Sequence, residues 1–361
     1  MKKQTQLVIR FVKRLYLILF IAAYPCFAQQ PSPEQLFNEA MAAQRNGDLN
    51  KAVTGYEQVL KLVPNLVPAR ANLAAAELRL GRLEDGISNY RIALRLSHDN
   101  QQIALLLGDA LVSVQRYNEA IALLQPLEKA HPQNLDLAFL LGEALIDKGQ
   151  RTEGLQRIER VARSRNDANA WTMSAVTRLK LDDFAKADVS AEAAIRLNPS
   201  DPGAYVLSGM AKAALGNTDA AKAAYRKALG LDSDDFDAYL RLGTLLRIDG
   251  DTGGAQPYLE RALRLNPASL SARFEVARMQ ISEGRDADAV ANLEEIVRGD
   301  PDLPQPHVRL AVLYARMHRP GDSDRERQIV DRLQGMHQKR EVEDSIDNLE
   351  RTGVNPSTAA R

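Results

Sequence analysis

The sequence predicts an all-α solenoid, a stack of antiparallel helix pairs, and three observations predict it. First, a phrase recurs: "VLKLVP", "ALRLSH", "LEKAHP", "VARSRN", "AIRLNP", "ALGLDS", "ALRLNP" and "IVRGDP" begin at Val59, Ala93, Leu127, Val161, Ala194, Ala228, Ala262 and Ile296, in steps of 34 residues with a single step of 33. An interval of that size marks an array of one supersecondary unit. Second, two positions in every period hold only small residues. Third, a break, mostly glycine, lies between them and is flanked by apolar residues at i, i+3, i+4 and i+7, which is helical periodicity. A solenoid grows by adding units rather than by enlarging a core. The 361 residues therefore need not form the two or three separate domains their length would suggest.

Residues 1–28 carry Lys2, Lys3, Arg10, Lys13 and Arg14 and no acid, followed by an apolar run from Leu15 to Ala23. Pro25 then breaks the run, and Cys26 and Ala28 place small residues at the −3 and −1 positions of a cleavage site. A basic start, a short apolar run and a small-residue exit read as a secretory signal peptide. The run falls short of the roughly 20 apolar residues that cross a bilayer. Cleavage after Ala28 is thus expected, with an uncleaved anchor through residues 15–28 as the alternative. Tyr24 and Pro25 are not the small residues that precede a lipidated cysteine. Export to a bacterial periplasm fits this leader, with residues 29–32 as a short linker. Its removal leaves 42 basic against 47 acidic residues, a net charge of −5. A mildly acidic chain argues against nucleic acid as a partner. Cys26 leaves with the leader, so the mature chain has neither disulfide nor thiol chemistry.

Nine units tile residues 33–337, beginning at Pro33, Val67, Gln101, Leu135, Ala168, Pro202, Phe236, Leu270 and Pro304. Their eighth residues are Ala40, Ala74, Gly108, Gly142, Ala175, Gly209, Gly243, Ala277 and Ala311. Their twentieth are Ala52, Gly86, Ala120, Gly154, Ala187, Ala221, Ala255, Ala289 and Ser323. Small residues at these two places let two helix backbones approach. The glycines near position 15, Gly47, Gly81, Gly149, Gly216, Gly250 and Gly284, supply the left-handed cap that ends the first helix. Ser32, Pro33 and Gln35 form a helix start with a capping box. "DSDD" at 232–235 reads as another helix start, because acids favour that end. Pro126 falls midway through a second helix and is expected to kink it; Pro257 lies nearer the start of another. In the ninth unit Arg327 stands where others place Tyr or Leu, a polar face suited to ending a stack in water. Residues 338–351 read as a charged helical extension and 352–361 as a disordered tail.

These columns resemble the tetratricopeptide repeat family: a large residue at position 4, Gly or Ala at 8, Ala at 20, an aromatic at 24, Ala at 27 and Pro at 32. The sixth unit carries Tyr205, Gly209, Gly216, Ala221, Tyr225 and Ala228, and the fifth carries Trp171, Ala187, Ala194 and Pro199. The resemblance implies a right-handed superhelix that holds a peptide or protein segment in its concave face. Its residues bear on fold and say little of function. The Lys and Asn by which chaperone-binding members clamp a terminal carboxylate have no counterparts at positions 5 and 9.

No constellation for catalysis, metal or cofactor emerges, so none is expected. The five histidines, His98, His131, His307, His318 and His337, never pair at i, i+3 or i+4. "GDTGGA" at 250–255 lacks the Lys-Ser/Thr ending of a phosphate loop. "DSDD" lacks the spaced ligands of a calcium loop. Trp171 sits in a packing column and reads as core.

One stripe remains. In the first helix of each unit, positions 4, 7, 8 and 11 face the second helix, and positions 2, 5, 9, 12 and 13 lie opposite. With position 6, this stripe is the family's inner groove. Its early part offers Phe37, Met41, Leu105, Leu106, Phe139, Leu140 and Ile146; its late part offers Arg241, Arg247, Arg278, Arg309 and Arg316, with Glu275 among them. On one reading this is a two-part groove: apolar pockets first, then guanidinium forks for carboxylates. On the other, the apolar residues pack neighbouring helices and the arginines only solvate a wall. The function expected is that of an exported, non-catalytic scaffold for a protein or peptide partner, with no membrane span once the leader is cleaved. The alternatives are a structural component of an envelope assembly, oligomerising through the segment after residue 337, and an accessory subunit of an enzyme complex.

Overall fold

The backbone is described in the computed structural model for residues 31–97 and 100–352. The expected leader with Cys26, His98 and the end of the tail fall outside the described residues. Eighteen α-helices and no strand occur among those described. They alternate as first and second members of nine pairs. The first members are α1 (Pro33–Arg45), α3 (Val67–Arg79), α5 (Gln101–Ser113), α7 (Leu135–Asp147), α9 (Ala168–Leu179), α11 (Pro202–Ala214), α13 (Phe236–Ile248), α15 (Leu270–Ser282) and α17 (Pro304–Arg316). The second members are α2 (Leu49–Leu62), α4 (Leu83–Ser97), α6 (Tyr117–Ala130), α8 (Arg151–Arg165), α10 (Phe184–Leu197), α12 (Thr218–Leu231), α14 (Thr252–Leu265), α16 (Asp286–Gly299) and α18 (Pro320–Thr352). The chain divides into two compact units, one ending at Arg157 and one beginning at Ile158.

All eighteen small residues of the two columns are buried. Their contact is direct: a methyl group built at Gly154 would lie 2.6 Å from the carbonyl oxygen of Gly142, and one at Gly86 would lie 2.9 Å from that of Ala74. In the last pair the Ser323 hydroxyl donates to the Ala311 carbonyl at 2.8 Å, the same two columns joined by a hydrogen bond. Larger residues close around this seam. Tyr56, Tyr90, Leu124, Ile158, Ala191, Tyr225, Leu259 and Leu293 fill position 24 and are buried, whereas Arg327 at that position is exposed.

The residue between the two helices of a pair adopts positive φ in all nine units. Six are the glycines named above, with φ of 73–95°; Gln115, Asp182 and His318 take the same place at 61°, 55° and 57°. Seven first helices start on a side-chain cap: Ser32, Asn100, Asn134, Asp167, Asp201, Asp235 and Ser269. Ser32 and Gln35 form the expected capping box, and Asp235 of "DSDD" accepts from the Ala238 amide at 2.8 Å. Pro126 does not end its helix. It lies on the exposed side of α6, so water can take the carbonyl that the missing N–H leaves unpaired.

Successive repeats are pinned by a bond at the exit proline. The side chain at position 4 reaches the carbonyl of the proline six residues earlier: Arg70 to Pro64 at 2.8 Å, Tyr205 to Pro199 at 3.3 Å, Arg273 to Pro267 at 2.9 Å, and His307 with Pro301 at 3.0 Å. Within each compact unit, first helices also touch the first helix of the next pair: α1 with α3, α5 with α7, α9 with α11, α11 with α13, and α13 with α15.

Candidate protein-binding surface

In the unit that begins at Ile158, a cavity of about 530 Å³ opens on the first helices of the sixth to eighth pairs. Ala213 of α11, Leu240, Arg241, Thr244, Leu245 and Ile248 of α13, and Ser271, Phe274 and Glu275 of α15 line it, with Tyr225 of α12 behind them. Apart from Leu245 and Tyr225, these hold positions 2, 5, 6, 9, 12 and 13 of their units, the stripe that helical geometry turns away from the second helix. The Tyr225 ring gets its place from Gly209, where a methyl group would meet the ring at 2.5 Å. Burial pushes the Tyr225 hydroxyl up to about 12, so it stays neutral.

The five arginines of the stripe differ in what they already hold. Arg247 is almost wholly buried and its Nε donates to Glu275 at 2.8 Å. Arg278 donates to the other oxygen of Glu275 at 3.1 Å, with its guanidinium 6.0 Å from the Phe274 ring centre. Arg241 faces Asp237 across a loose 3.9 Å. Arg316 is tied to Asp286 at 2.9 Å. Arg309 is exposed and forms no ion pair among the described residues. Two guanidinium N–H groups, Nε of Arg241 and Nη2 of Arg247, are buried with no acceptor.

The apolar part of the stripe is packed in part. Leu140 is buried in the core of its unit, and Leu105 packs against that core. Phe37 lies 5.8 Å from the Tyr56 ring at a tilt of 57°, and Met41 sits with it against the first core cluster. Phe139 and Ile146 are half-buried, and Leu106 is partly exposed. Trp171, expected in the core, is only half-buried, with Arg163 over its ring at 5.7 Å.

Residue chemistry alone missed most of the cavity. Leu240, Thr244, Ile248, Ser271 and Phe274 obey the positional rule, yet none is charged and only Phe274 is aromatic. It also missed two polar knots. Glu159 on α8 accepts from Ser174 and Arg178 of α9, and Ser174 bonds Ser190 of α10 at 3.0 Å. One repeat on, Lys212 of α11 binds Asp188 at 2.9 Å and Glu192 at 2.6 Å, both on α10. The signal was present: Ser174, Arg178, Ser208 and Lys212 occupy positions 7 and 11, where Leu107, Leu111, Leu141 and Leu145 stand in other units.

Among known families, profiles of the tetratricopeptide repeat match residues 37–100, 111–176, 168–201, 202–235 and 246–313. The chain belongs to the tetratricopeptide repeat family. Several solved structures are similar to this tetratricopeptide repeat chain. YrrB, described as a TPR protein with an unusual peptide-binding site, is 22% identical with a TM-score of 0.42, over 51% of this chain and 97% of that one. MamA is 23% identical with a TM-score of 0.43, over 45% of this chain and 95% of that one. Yeast Tom70 is 16% identical with a TM-score of 0.44, over 84% of this chain and 76% of that one. These likenesses concern fold alone. No curated protein sequence matches the chain. Among the described residues, no helix is long and apolar enough to cross a membrane.

Proposed function

We propose that this tetratricopeptide repeat protein is an exported, non-catalytic scaffold that holds a protein or peptide segment against its first helices. The observation that supports this reading most is the coincidence of the cavity with the stripe at positions 2, 5, 6, 9, 12 and 13. Nothing in the packing of a repeat requires that stripe to be concave, apolar and lined with arginine. A bacterial periplasm remains the compartment proposed, on the strength of residues 1–28. The arginines of the late repeats are the proposed contact residues, together with half-buried Phe139 of the early stripe, while Phe37 and Met41 give their surface to neighbouring helices. The test is the double substitution Arg278→Ala and Arg309→Ala, with partner capture from the exported compartment and thermal melting read together. Capture should fall while the helical melt changes little, because Arg309 forms no ion pair among the described residues and Glu275 keeps Arg247 when Arg278 is lost. Equal loss of both would refute the reading.

A second reading, self-association through the carboxyl-terminal segment, has one observation in its favour. Helix α18 spans 33 residues, more than twice the length of any other helix among the described residues. Light scattering behind size exclusion, with and without residues 338–361, decides it: a mass that halves on truncation supports self-association, and an unchanged mass per chain removes it.

A further inference from the structure

Resting on that reading, the geometry points to the chemistry of the partner: we infer that the cavity of α11, α12, α13 and α15 takes an acidic side chain flanked by an apolar one. Three observations carry this. The first is charge. Arg241, Arg247 and Arg278 gather around the cavity against Glu275, which lines it, and Asp237 at a loose 3.9 Å. The excess is positive, in a chain whose mature net charge is negative. The second is unmet demand. Nε of Arg241, which lines the cavity, and Nη2 of Arg247, which holds Glu275, are buried donors without acceptors. Buried N–H groups are nearly always paired, and an acceptor entering the cavity would pair these two. A carboxylate offers two oxygens and suits a guanidinium edge better than any neutral acceptor does. The third is the apolar rim. Ile248 is 62% exposed, and with Leu240 and Phe274 it offers an uncovered apolar wall beside those donors.

Glu275 then has a definite role. Its carboxylate already accepts from Nε of Arg247 and from Arg278, so it shares with an incoming acid the Arg247 guanidinium whose Nη2 is still unpaired. It is an internal competitor, and its charge also repels an acidic partner. A basic partner would meet the opposite situation, since Glu275 is the acid it would seek.

The test is selection of random ten-residue peptides on the full chain, followed by affinity measurement of the selected peptides on Arg241→Gln, Phe274→Ala and Glu275→Gln. The expected outcome is enrichment of Asp or Glu next to Leu, Ile or Phe. Binding should then weaken at least about tenfold in Arg241→Gln, tighten several-fold in Glu275→Gln, and weaken at higher salt. Peptides that lose binding in Arg241→Gln or Phe274→Ala but are basic or uncharged would overturn the acidic assignment and leave the groove reading standing. Binding that weakens in Glu275→Gln would do the same. Peptides indifferent to all three substitutions, or no enrichment at all, would overturn both.

Discussion

Gly154 and Gly230 are both helical glycines, and they should answer the same substitution in opposite ways. A methyl group at Gly154 meets the Gly142 carbonyl oxygen at 2.6 Å, backbone that cannot swing aside, whereas nothing lies within 4 Å of one at Gly230. Gly154→Ala should therefore cost about 2–3 kcal/mol through overpacking. Gly230→Ala should gain about 0.5–1 kcal/mol by restricting the unfolded chain and favouring helix. Urea unfolding of both variants measures the contrast; a neutral Gly154→Ala would mean the two columns do not touch. The eighteen small residues were legible in the sequence because backbone contact admits no substitute for size. The turn was legible only where glycine marks it. Gln115, Asp182 and His318 hold the same positive φ as the glycines, and their residue type announces nothing of the kind. There the repeat register, not the side chain, dictates the backbone.

Between helices, polar chemistry replaces apolar packing in the two knots, and the second gives a pH dependence. In the knot of α10 and α11, the hydrogen bond from Lys212, together with its charge, holds the Glu192 carboxyl below its ordinary value of 4.5. Burial opposes the charge of Lys212, but its bonds to Glu192 and Asp188 prevail and hold it above its ordinary value. A carboxyl with a depressed folded pKa contributes stability that is present above its unfolded pKa and lost as pH falls through the folded one. Stability of the wild-type chain should thus decline below about pH 4.5, and Glu192→Gln should flatten that decline. Thermal melts between pH 6 and pH 3 read it (about three units spanning the titration), and parallel declines in the two proteins would show that the knot adds no stability. The helix periodicity was legible throughout, and so was the cap at Ser32. The bonds from position 4 to the exit proline were not. Position 4 reads as a column of large residues, and only in the fold do Arg70, Tyr205, Arg273 and His307 share a polar tip at one reach.

For the molecule as a whole, the period sufficed to reach the family, because a repeat writes its architecture nine times and errors in one copy are corrected by the others. The binding surface is written once. Its positions follow from the 3.6-residue turn, but the choice among stripe residues depends on which are already occupied, and that is decided by partners such as Glu275 and Asp286 in other repeats. Hence the arginines stood out in the sequence while Thr244, Ile248 and Phe274 did not, and Phe37 and Leu140 stood out although neighbouring helices claim them. The most direct test of the account places a photocrosslinking amino acid at Thr244 in the cavity and, separately, at Arg226, an exposed position of α12. Irradiation in the exported compartment should trap one partner through Thr244, not through Arg226, and Arg241→Gln should abolish the product. Equal trapping from both positions, or trapping from Arg226 alone, would contradict it.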